Sequence, residues 1–539
     1  MANRRAQGQG RERATEVVDR AARRAEARKR GKAGAAPDAA KGWHLSPRVW
    51  TGLALGVMIL VFTRYYYWTI HPNPARPVSG FGEYALLTDA FSHGQASLRV
   101  LPPPQLLALK DPYDPQANAR YRLHDASLYK GRYYIYFGAA PVLTVYLPYL
   151  LVTGDFLPDR VGTWVFAAAA YAMGCLLLQL LLRRCWPRSP RWLLFFLCAC
   201  LGFSNVFPYV LRRPAVYETA IAAGQFFVLL ALYAIARSAL GFRRPVLMAA
   251  IAGVALAGAL GSRPPMALAA VALGWFFLPN AAIALRDRRR RLAAALLPFT
   301  AGIVLQLAYN YARFDTPFEF GNHYVLAGIN LPKYQFFSLS RLPRNLWFNI
   351  LEPPRLRSRF PFVVIAPRPP FHIPKGFVGP ERVAGIVWLA PLVLLLGAAP
   401  AVWRRIDSAC KIEWAALAGT LAFLGAAWIG VDAMLSSTMR YEADFAGVLF
   451  IAAGLVLAGW EQLLASGART WLCRGIVALG LFGVVVNAGS GITGYYDTFR
   501  AEAPQQYQAL ADWFSPLEQL LEWMGVPPDV APAPGVDIS

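Results

Sequence analysis

Long apolar runs, separated by short polar segments rich in arginine, set the pattern of this chain. A helix needs about 20 apolar residues to cross the hydrocarbon core of a bilayer. The runs cover residues 49–62, 161–182, 192–209, 220–236, 245–260, 267–285, 292–308, 383–402, 414–429, 445–460 and 476–486. The pattern therefore predicts an all-α polytopic membrane protein with about 11 transmembrane helices.

A further stretch, 133–152, is apolar but unusually aromatic, and it contains Pro141 and Pro148. If it crossed the membrane, the arginine cluster at 183–191 and every later basic cluster would face outward. Basic loops prefer the cytoplasmic side, so we expect this stretch to be a juxtamembrane helix at the outer face. The same rule predicts a cytoplasmic N-terminus and two large outer loops, at 69–160 and 309–381.

The chain carries 54 Lys and Arg residues against 31 Asp and Glu residues, a formal net charge of +23. Such an excess can indicate nucleic-acid binding. Here the basic residues instead cluster in the short inner loops, where a membrane protein places them. We therefore expect membrane lipids as partners and no nucleic acid.

Three parts of the chain differ in composition. Residues 1–45 are highly charged and almost free of aromatic residues, so they cannot bury a core and are expected to form a disordered basic cytoplasmic tail. Residues 46–493 form the predicted transmembrane domain. Residues 494–539 form a periplasmic C-terminal tail with a predicted interfacial helix at 505–524.

The first outer loop contains a short amphipathic segment that begins at Glu83. Tyr84, Leu87 and Phe91 have helical spacing and can bury one face. Glu83 and Asp89 are then acids beside the membrane. A partly desolvated carboxyl has a raised pKa and can act as a base on an acceptor hydroxyl. The alternative is that these acids only solvate a surface helix.

Three stretches carry a resemblance to a known family: EYALLTDAFSHG, SLYKGRYYIYFGAAPVLTVYLPY and RYEADFAGVLFIAAG. Their order and spacing among the apolar runs resemble the GT-C superfamily of polyprenyl-phosphate-sugar-dependent glycosyltransferases. Similar groups are bacterial protein mannosyltransferases and lipid A aminoarabinose transferases. The resemblance implies a GT-C-like fold with juxtamembrane helices and a catalytic acid in the first outer loop, here Asp89 or Glu83.

A lipid-phosphate donor would need cations at the outer interface. The cations there are Lys130, Arg132, Arg212, Arg213, Arg263 and Arg440. Of these, Lys130, Arg132, Arg263 and Arg440, together with Tyr441, are the predicted donor-phosphate ligands.

Two of these predictions have structural alternatives. Arg263 lies between apolar runs, where an arginine is costly and usually has a partner, so an ion pair with an acid such as Glu218 would make it structural. The segment 440–444 holds three charges just before an apolar run, and its own acids could cap the helix that starts there.

Metal chemistry has weak support in the sequence. The histidines are scattered without zinc-ligand spacing, and the six cysteines lie in apolar runs or arginine-rich loops. We expect no metal site and no resident cofactor. Asp111, Asp114 and Asp125 leave a divalent cation open, although Asp-Pro spacing is more often turn chemistry.

These observations predict a membrane glycosyltransferase that moves a hexosyl or pentosyl group from a polyprenyl-phosphate donor. The acceptor would be an envelope glycan, lipid or protein at the outer face of a bacterial inner membrane. The alternative is a non-enzymatic lipid-linked glycan transporter or an envelope-assembly subunit.

Overall fold

The computed structural model describes residues 46–73, 75, 81–277, 284–335, 337–372, 381–406, 408–435, 437–495 and 497–528. The predicted basic tail, 1–45, lies outside the described residues. The molecule divides after Ala54. The described part of the first unit is the start of helix α1, and the second unit, Leu55–Ser539, holds the rest of α1 and every element that follows.

Eight helices of the described chain are long and apolar enough to cross a membrane. They are α1 (Pro47–Ile70), α6 (Asp159–Cys185), α7 (Arg191–Ser204, continued to Val210 by the short helix α8, Phe207–Val210), α9 (Val216–Ala239), α11 (Leu285–Phe314), α15 (Ser408–Leu435), α16 (Met439–Leu463) and α17 (Ser466–Thr493). A multi-pass, all-α membrane protein is therefore confirmed.

The other three predicted spans are also helical, but they are short or broken. Helix α10, Pro245–Leu260, has 16 residues. The next run is a 3-10 helix, Pro264–Phe277. The run at 383–402 forms α13 (Ile386–Leu389), a 3-10 helix (Pro391–Ala398) and α14 (Ala399–Arg405). Prolines near the starts of these segments lack a backbone N–H group and interrupt a continuous helix.

Two helices form the centre of the bundle. In α16, 94% of the best apolar window is buried inside the protein, and in α9 the share is 83%. Both are apolar on every side, as expected of a helix surrounded by protein. In α11 only 11% is buried, so most of its apolar surface faces outward, where a bilayer would cover it.

The first outer loop forms a compact layer at one end of the bundle. Its elements are α2 (Glu83–Ser92), α3 (Pro104–Leu107), α4 (Pro115–Asn118), strands β1 (Ser127–Tyr129) and β2 (Arg132–Tyr134), a π-helical turn (Val142–Tyr146) and α5 (Leu147–Thr153). The strands pair antiparallel, with Ser127 opposite Tyr134. The helix at 142–153 is too short to cross a bilayer, and Leu151 and Val152 on it are exposed.

The remaining elements belong to the second predicted loop and the C-terminal segment. They are 3-10 turns at Asn322–Tyr324, Leu331–Lys333 and Leu339–Arg341, α12 (Leu342–Leu346), a π-helical turn (Trp347–Leu351), antiparallel strands β3 (Arg355–Leu356) and β4 (Val363–Val364), α18 (Thr498–Glu502), α19 (Pro504–Trp513) and α20 (Ser515–Trp523). The predicted helix at 505–524 is thus two helices that meet at Phe514.

The two ends of the bundle differ in chemistry. At one end the arginine-rich loops meet, where Arg184 pairs with Glu413 at 3.7 Å and Arg291 donates to the carbonyl of Ser238 at 2.6 Å. At the other end, the first-loop layer covers the starts of α6, α9 and α16. Buried acids such as Asp159, Glu218 and Asp444 lie at this second end, opposite the basic clusters.

Candidate functional site

Helix α2 presents its two acids to different surroundings. Tyr84 and Leu87 are fully buried and fix the helix against the bundle. Glu83, its first residue, and Asp89 are both partly buried. The Asp89 side chain is 19% exposed; it accepts a hydrogen bond from Nη1 of Arg99 at 2.9 Å, and Nδ1 of His93 is 3.4 Å away.

Glu83 has charged groups within electrostatic range. Burial raises the pKa of its carboxyl above the ordinary value, and the carboxylate of Asp125 adds to the rise. His124 and Arg213 act on that pKa in the opposite direction. A carboxyl with a raised pKa is a candidate for proton transfer.

Asp125 connects the first loop to α9. It adopts a left-handed backbone conformation with φ of 60°, which Asp tolerates better than most residues. Its backbone N–H donates to the carbonyl of Leu326 at 3.1 Å. Its carboxylate accepts from the Tyr217 hydroxyl at 3.2 Å, and Nε2 of His124 is 3.7 Å away.

On the other side of Tyr217 lies Arg440, near the start of α16. The guanidinium is over the Tyr217 ring at 4.4 Å and the residue is 5% exposed. Its Nη2 donates to both carboxylate oxygens of Glu381, at 2.6 and 2.7 Å, and its Nη1 is 3.9 Å from Glu218. Tyr217 therefore links the carboxylate of Asp125 to the buried guanidinium of Arg440.

Arg213 and Arg440 approach the same aromatic ring. Their guanidinium carbons lie 5.6 and 5.8 Å from the ring centroid of Tyr495. Arg212, the neighbour of Arg213, is instead used to hold the C-terminal segment, because it pairs with Glu502 at 3.3 Å. The arrangement places a base candidate and two cations at one end of the bundle, as acyl- or glycosyl-transfer chemistry requires.

Two predicted phosphate ligands lie on the surface of the first loop. Lys130, in the β1–β2 turn, pairs with Asp315 at 2.6 Å, and the Tyr129 hydroxyl donates to the same carboxylate at 2.9 Å. Hydrogen bonding to Asp315 raises the pKa of Lys130 and lowers that of Asp315. Arg132 is exposed on β2, opposite Tyr129.

Arg263 forms an ion pair, but with a different partner from the suggested Glu218. Its Nε is 2.6 Å from Asp444, and its guanidinium lies over the ring of Tyr441 at 4.9 Å. Arg440 and Asp444 are one helical turn apart on α16 and so share a face. Arg440 is the one that lies near Glu218, at 3.9 Å, while Asp444 pairs with Arg263.

The alternative that residues 440–444 cap their own helix does not describe α16. The helix begins at Met439 after Thr438, which makes no side-chain capping bond among the described residues. The charged groups face inward instead: Arg440 and Asp444 form ion pairs, and Glu442 is fully buried.

The aspartates of the first-loop connector make turns. Asp111 accepts from the backbone N–H of Tyr113 at 3.0 Å and pairs with Lys333 at 2.7 Å, which lowers its pKa. Asp114 caps α4 by accepting from Gln116 at 3.0 Å. Across the described part of the chain, no group of three or more His, Cys, Asp or Glu side chains is placed to hold a metal ion.

Several residues of this site were not predicted for it. Asp125 was considered only as a cation ligand, Arg213 only as one interfacial cation among six, and Tyr217 and Glu381 were not considered. A signal was present at the start of α9, where Arg213, Tyr217 and Glu218 put two charges and a phenol beside an apolar run. Such groups at membrane depth mark functional sites.

Comparisons with known proteins give limited information. No protein-family model matches the chain, and no curated protein matches it. Two solved structures are similar in fold, both of the oligosaccharyltransferase of Archaeoglobus fulgidus. The apo form has 12% identity and a TM-score of 0.46 over 89% of this chain and 60% of that one.

The second structure is AglB in complex with an inhibitory peptide and a dolichol-phosphate, with 13% identity and a TM-score of 0.45 over 86% of this chain and 59% of that one. The chain thus spans about three fifths of the length of these structures. At these scores, activity and site residues have to be judged from the chain's own geometry.

Proposed function

We propose that this chain is a membrane glycosyltransferase that transfers a sugar from a polyprenyl-phosphate donor to a hydroxyl acceptor. The observation that supports it best is that Asp125 accepts a hydrogen bond from the Tyr217 hydroxyl, while the guanidinium of Arg440 lies over the Tyr217 ring. Glu83, whose pKa is raised by burial, is within electrostatic range of Asp125, and the buried Arg440 pairs with the half-exposed Glu381.

In the proposed reaction, Glu83 takes the proton of the acceptor hydroxyl. The acceptor oxygen then forms a bond to the anomeric carbon of the sugar, while the bond from that carbon to the phosphate oxygen breaks. The electron pair of the broken bond leaves with the phosphate. Arg440 and Arg213 stabilise the phosphate as it gains negative charge.

The geometry suits a donor that arrives from the bilayer. Arg440 lies in the first turn of α16, so a lipid phosphate could reach it while the polyprenyl chain stays in the hydrocarbon region. The site is at the end opposite the arginine-rich loops. Because such loops prefer the cytoplasm, we place the site at the outer face of a bacterial inner membrane, with an envelope acceptor.

The experiment is a transfer assay with the full chain in lipid nanodiscs. The donors are a panel of radiolabelled polyprenyl-phosphate hexoses and pentoses, and the acceptors are envelope fractions. Glu83→Gln should reduce transfer about 100-fold or more, because it removes a general base. Asp155→Asn, which changes an exposed acid between α5 and α6, is the matched control.

The pH dependence gives a second readout. A base works only when deprotonated, so transfer should rise with pH through a pKa that lies above that of an ordinary Glu. Loss of transfer in Asp89→Asn but not in Glu83→Gln would assign the base to Asp89. Full transfer in both variants would exclude a first-loop base. No transfer by the wild type with any donor and acceptor of the panel would favour a glycan transporter or assembly subunit.

A further inference from the structure

Helix α2, which carries Glu83, begins at a residue that cannot cap it. The first N–H groups of a helix have no partner within the helix, and the N-cap position here is Gly82, which has no side chain. The hydrogen-bond acceptor that caps α2 comes from a distant part of the chain. Oδ2 of Asp159, the first residue of α6, accepts from the backbone N–H of Tyr84 at 3.2 Å.

The close approach of Asp159 explains the glycine. A Cβ atom at position 82 would lie 2.3 Å from Oδ2 and 2.6 Å from Cγ of Asp159. Any side chain there would have to displace the carboxylate. Gly82 therefore makes room for a capping group that its own side chain would otherwise supply.

Asp159 is itself held in place by the bundle. It is 5% exposed, and its carbonyl accepts from the Thr163 hydroxyl at 2.8 Å. Thr163 in turn is 2.6 Å from the hydroxyl of Thr219 on α9. Because Tyr217 is on the same helix, one rigid group of helices fixes both the cap of α2 and the rest of the site.

The cap needs one hydrogen-bond acceptor at position 159, and Oδ2 of Asp159 supplies it. Because an amide oxygen also accepts a hydrogen bond, an asparagine there would keep the cap, whereas an alanine would remove it. The cap therefore depends on an acceptor at this position and not on its charge.

We propose that Asp159 is a positioning residue for Glu83: its carboxylate caps α2 from the neighbouring helix and so fixes the first helical turn, which Glu83 begins. The role of Glu83 as the base rests on the proposed function, whereas the capping does not.

Hydrogen exchange tests the cap without any activity. The full chain is compared in nanodiscs with Asp159→Ala, Asp159→Asn and the control Asp155→Asn, and exchange is followed in peptides that cover 81–92. Asp159→Ala should exchange about fivefold faster, since a lost cap costs about 1 kcal/mol. Asp159→Asn and the control should stay near the wild type. Unchanged exchange in Asp159→Ala overturns the proposal.

A double-variant cycle guards against a general loss of folding. Gly82→Ala alone should lower the melting temperature, because its Cβ meets Asp159. In an Asp159→Ala background the same change should cost little, because the obstructing carboxylate is gone. Additive effects of the two changes would contradict the contact.

The transfer assay tests the positioning role. Asp159→Ala should lower kcat while KM changes little, because a misplaced base slows the chemical step without removing a contact to the substrate. Asp159→Asn, which keeps an acceptor, should stay near the wild type. Normal kcat in Asp159→Ala alongside faster exchange would overturn the positioning role. If Glu83→Gln were fully active, Glu83 would not be the base of the proposed reaction, and hydrogen exchange would still decide the cap.

Discussion

Arg440 and Arg263 lie at the same end of the bundle, with side chains 6% and 11% exposed, and each lies over a tyrosine ring. The acids that pair with them most closely differ. The side chain of Glu381, which is 2.6 Å from Arg440, is 47% exposed, while the buried Glu218 lies farther from Arg440, at 3.9 Å. The side chain of Asp444, which pairs with Arg263, is 1% exposed.

This difference decides what each arginine can do. A half-exposed carboxylate can leave its partner and be hydrated, so an incoming phosphate can replace it at moderate cost. A buried carboxylate has no such route, because breaking the pair leaves a desolvated charge. We therefore expect Arg440 to be available to a ligand, and Arg263 to be part of the framework that holds α16 against the segment before Pro264.

The largest expected effect is on the Arg263 pair. Asp444→Asn removes the ion-pair partner of a guanidinium on a side chain that is 11% exposed. We expect a loss of roughly 3 kcal/mol of stability, the lower end of the cost of breaking a buried pair. The measurement is the melting temperature of the full chain in nanodiscs. Glu381→Gln, which breaks the exposed pair, is the matched control.

The double variant Arg263→Met/Asp444→Leu makes this prediction sharper. Replacing a buried ion pair by apolar side chains of similar size is often neutral. It should therefore recover most of the stability that Asp444→Asn loses. A melting temperature of Asp444→Asn equal to that of Glu381→Gln would show that the two pairs do not differ as proposed.

The second effect is on ligand binding at Arg440. Arg440→Gln should weaken binding of a radiolabelled polyprenyl phosphate about 10- to 100-fold, because a hydrogen bond to a charged group contributes about 1.5–3 kcal/mol. Arg404→Gln, at the basic end of the bundle, is a control that changes charge without touching the site. Equal binding by Arg440→Gln and the wild type would remove Arg440 from the phosphate site.

The sequence predicts the helices far better than these pairings. Apolar runs define their own helices, and all of the predicted spans are helical because that signal is local. Arg263 and Arg440 received the same role from the sequence, since both are arginines beside apolar runs. Their difference depends on Glu381 and Asp444, which lie 59 and 181 residues away in sequence from their respective partners.

The first-loop acids show a limit of a different kind. Glu83 and Asp89 are six positions apart on α2, about 240° around a helix, so the helical period alone predicts that they face different surroundings. The surroundings of Glu83 depend on the cap that Asp159 provides and on Asp125. Neither contact leaves a local signal in the chain, because both join segments distant in sequence.

A smaller effect is expected when the counter-ion of Arg440 is neutralised. Glu381→Gln removes a competitor of the phosphate, so polyprenyl phosphate should bind up to about fivefold more tightly, as expected for a half-exposed pair worth about 0.2–1 kcal/mol. The gain should shrink at high salt, which screens the exposed carboxylate. Weaker binding in Glu381→Gln would mean that Glu381 supports the ligand instead of competing with it.

The smallest effect is expected at Lys130, which the sequence placed with Arg440 among the phosphate ligands. Its ammonium and the carboxylate of Asp315 are both largely exposed, 70% and 59% by side chain, so water screens the pair. Lys130→Gln should leave the affinity for polyprenyl phosphate and the melting temperature within error of the wild type. Asp315→Asn is the matched variant, because it breaks the same pair from the other side. A loss of affinity in Lys130→Gln but not in Asp315→Asn would make Lys130 a phosphate ligand and extend the anion site from the bundle to the β1–β2 turn.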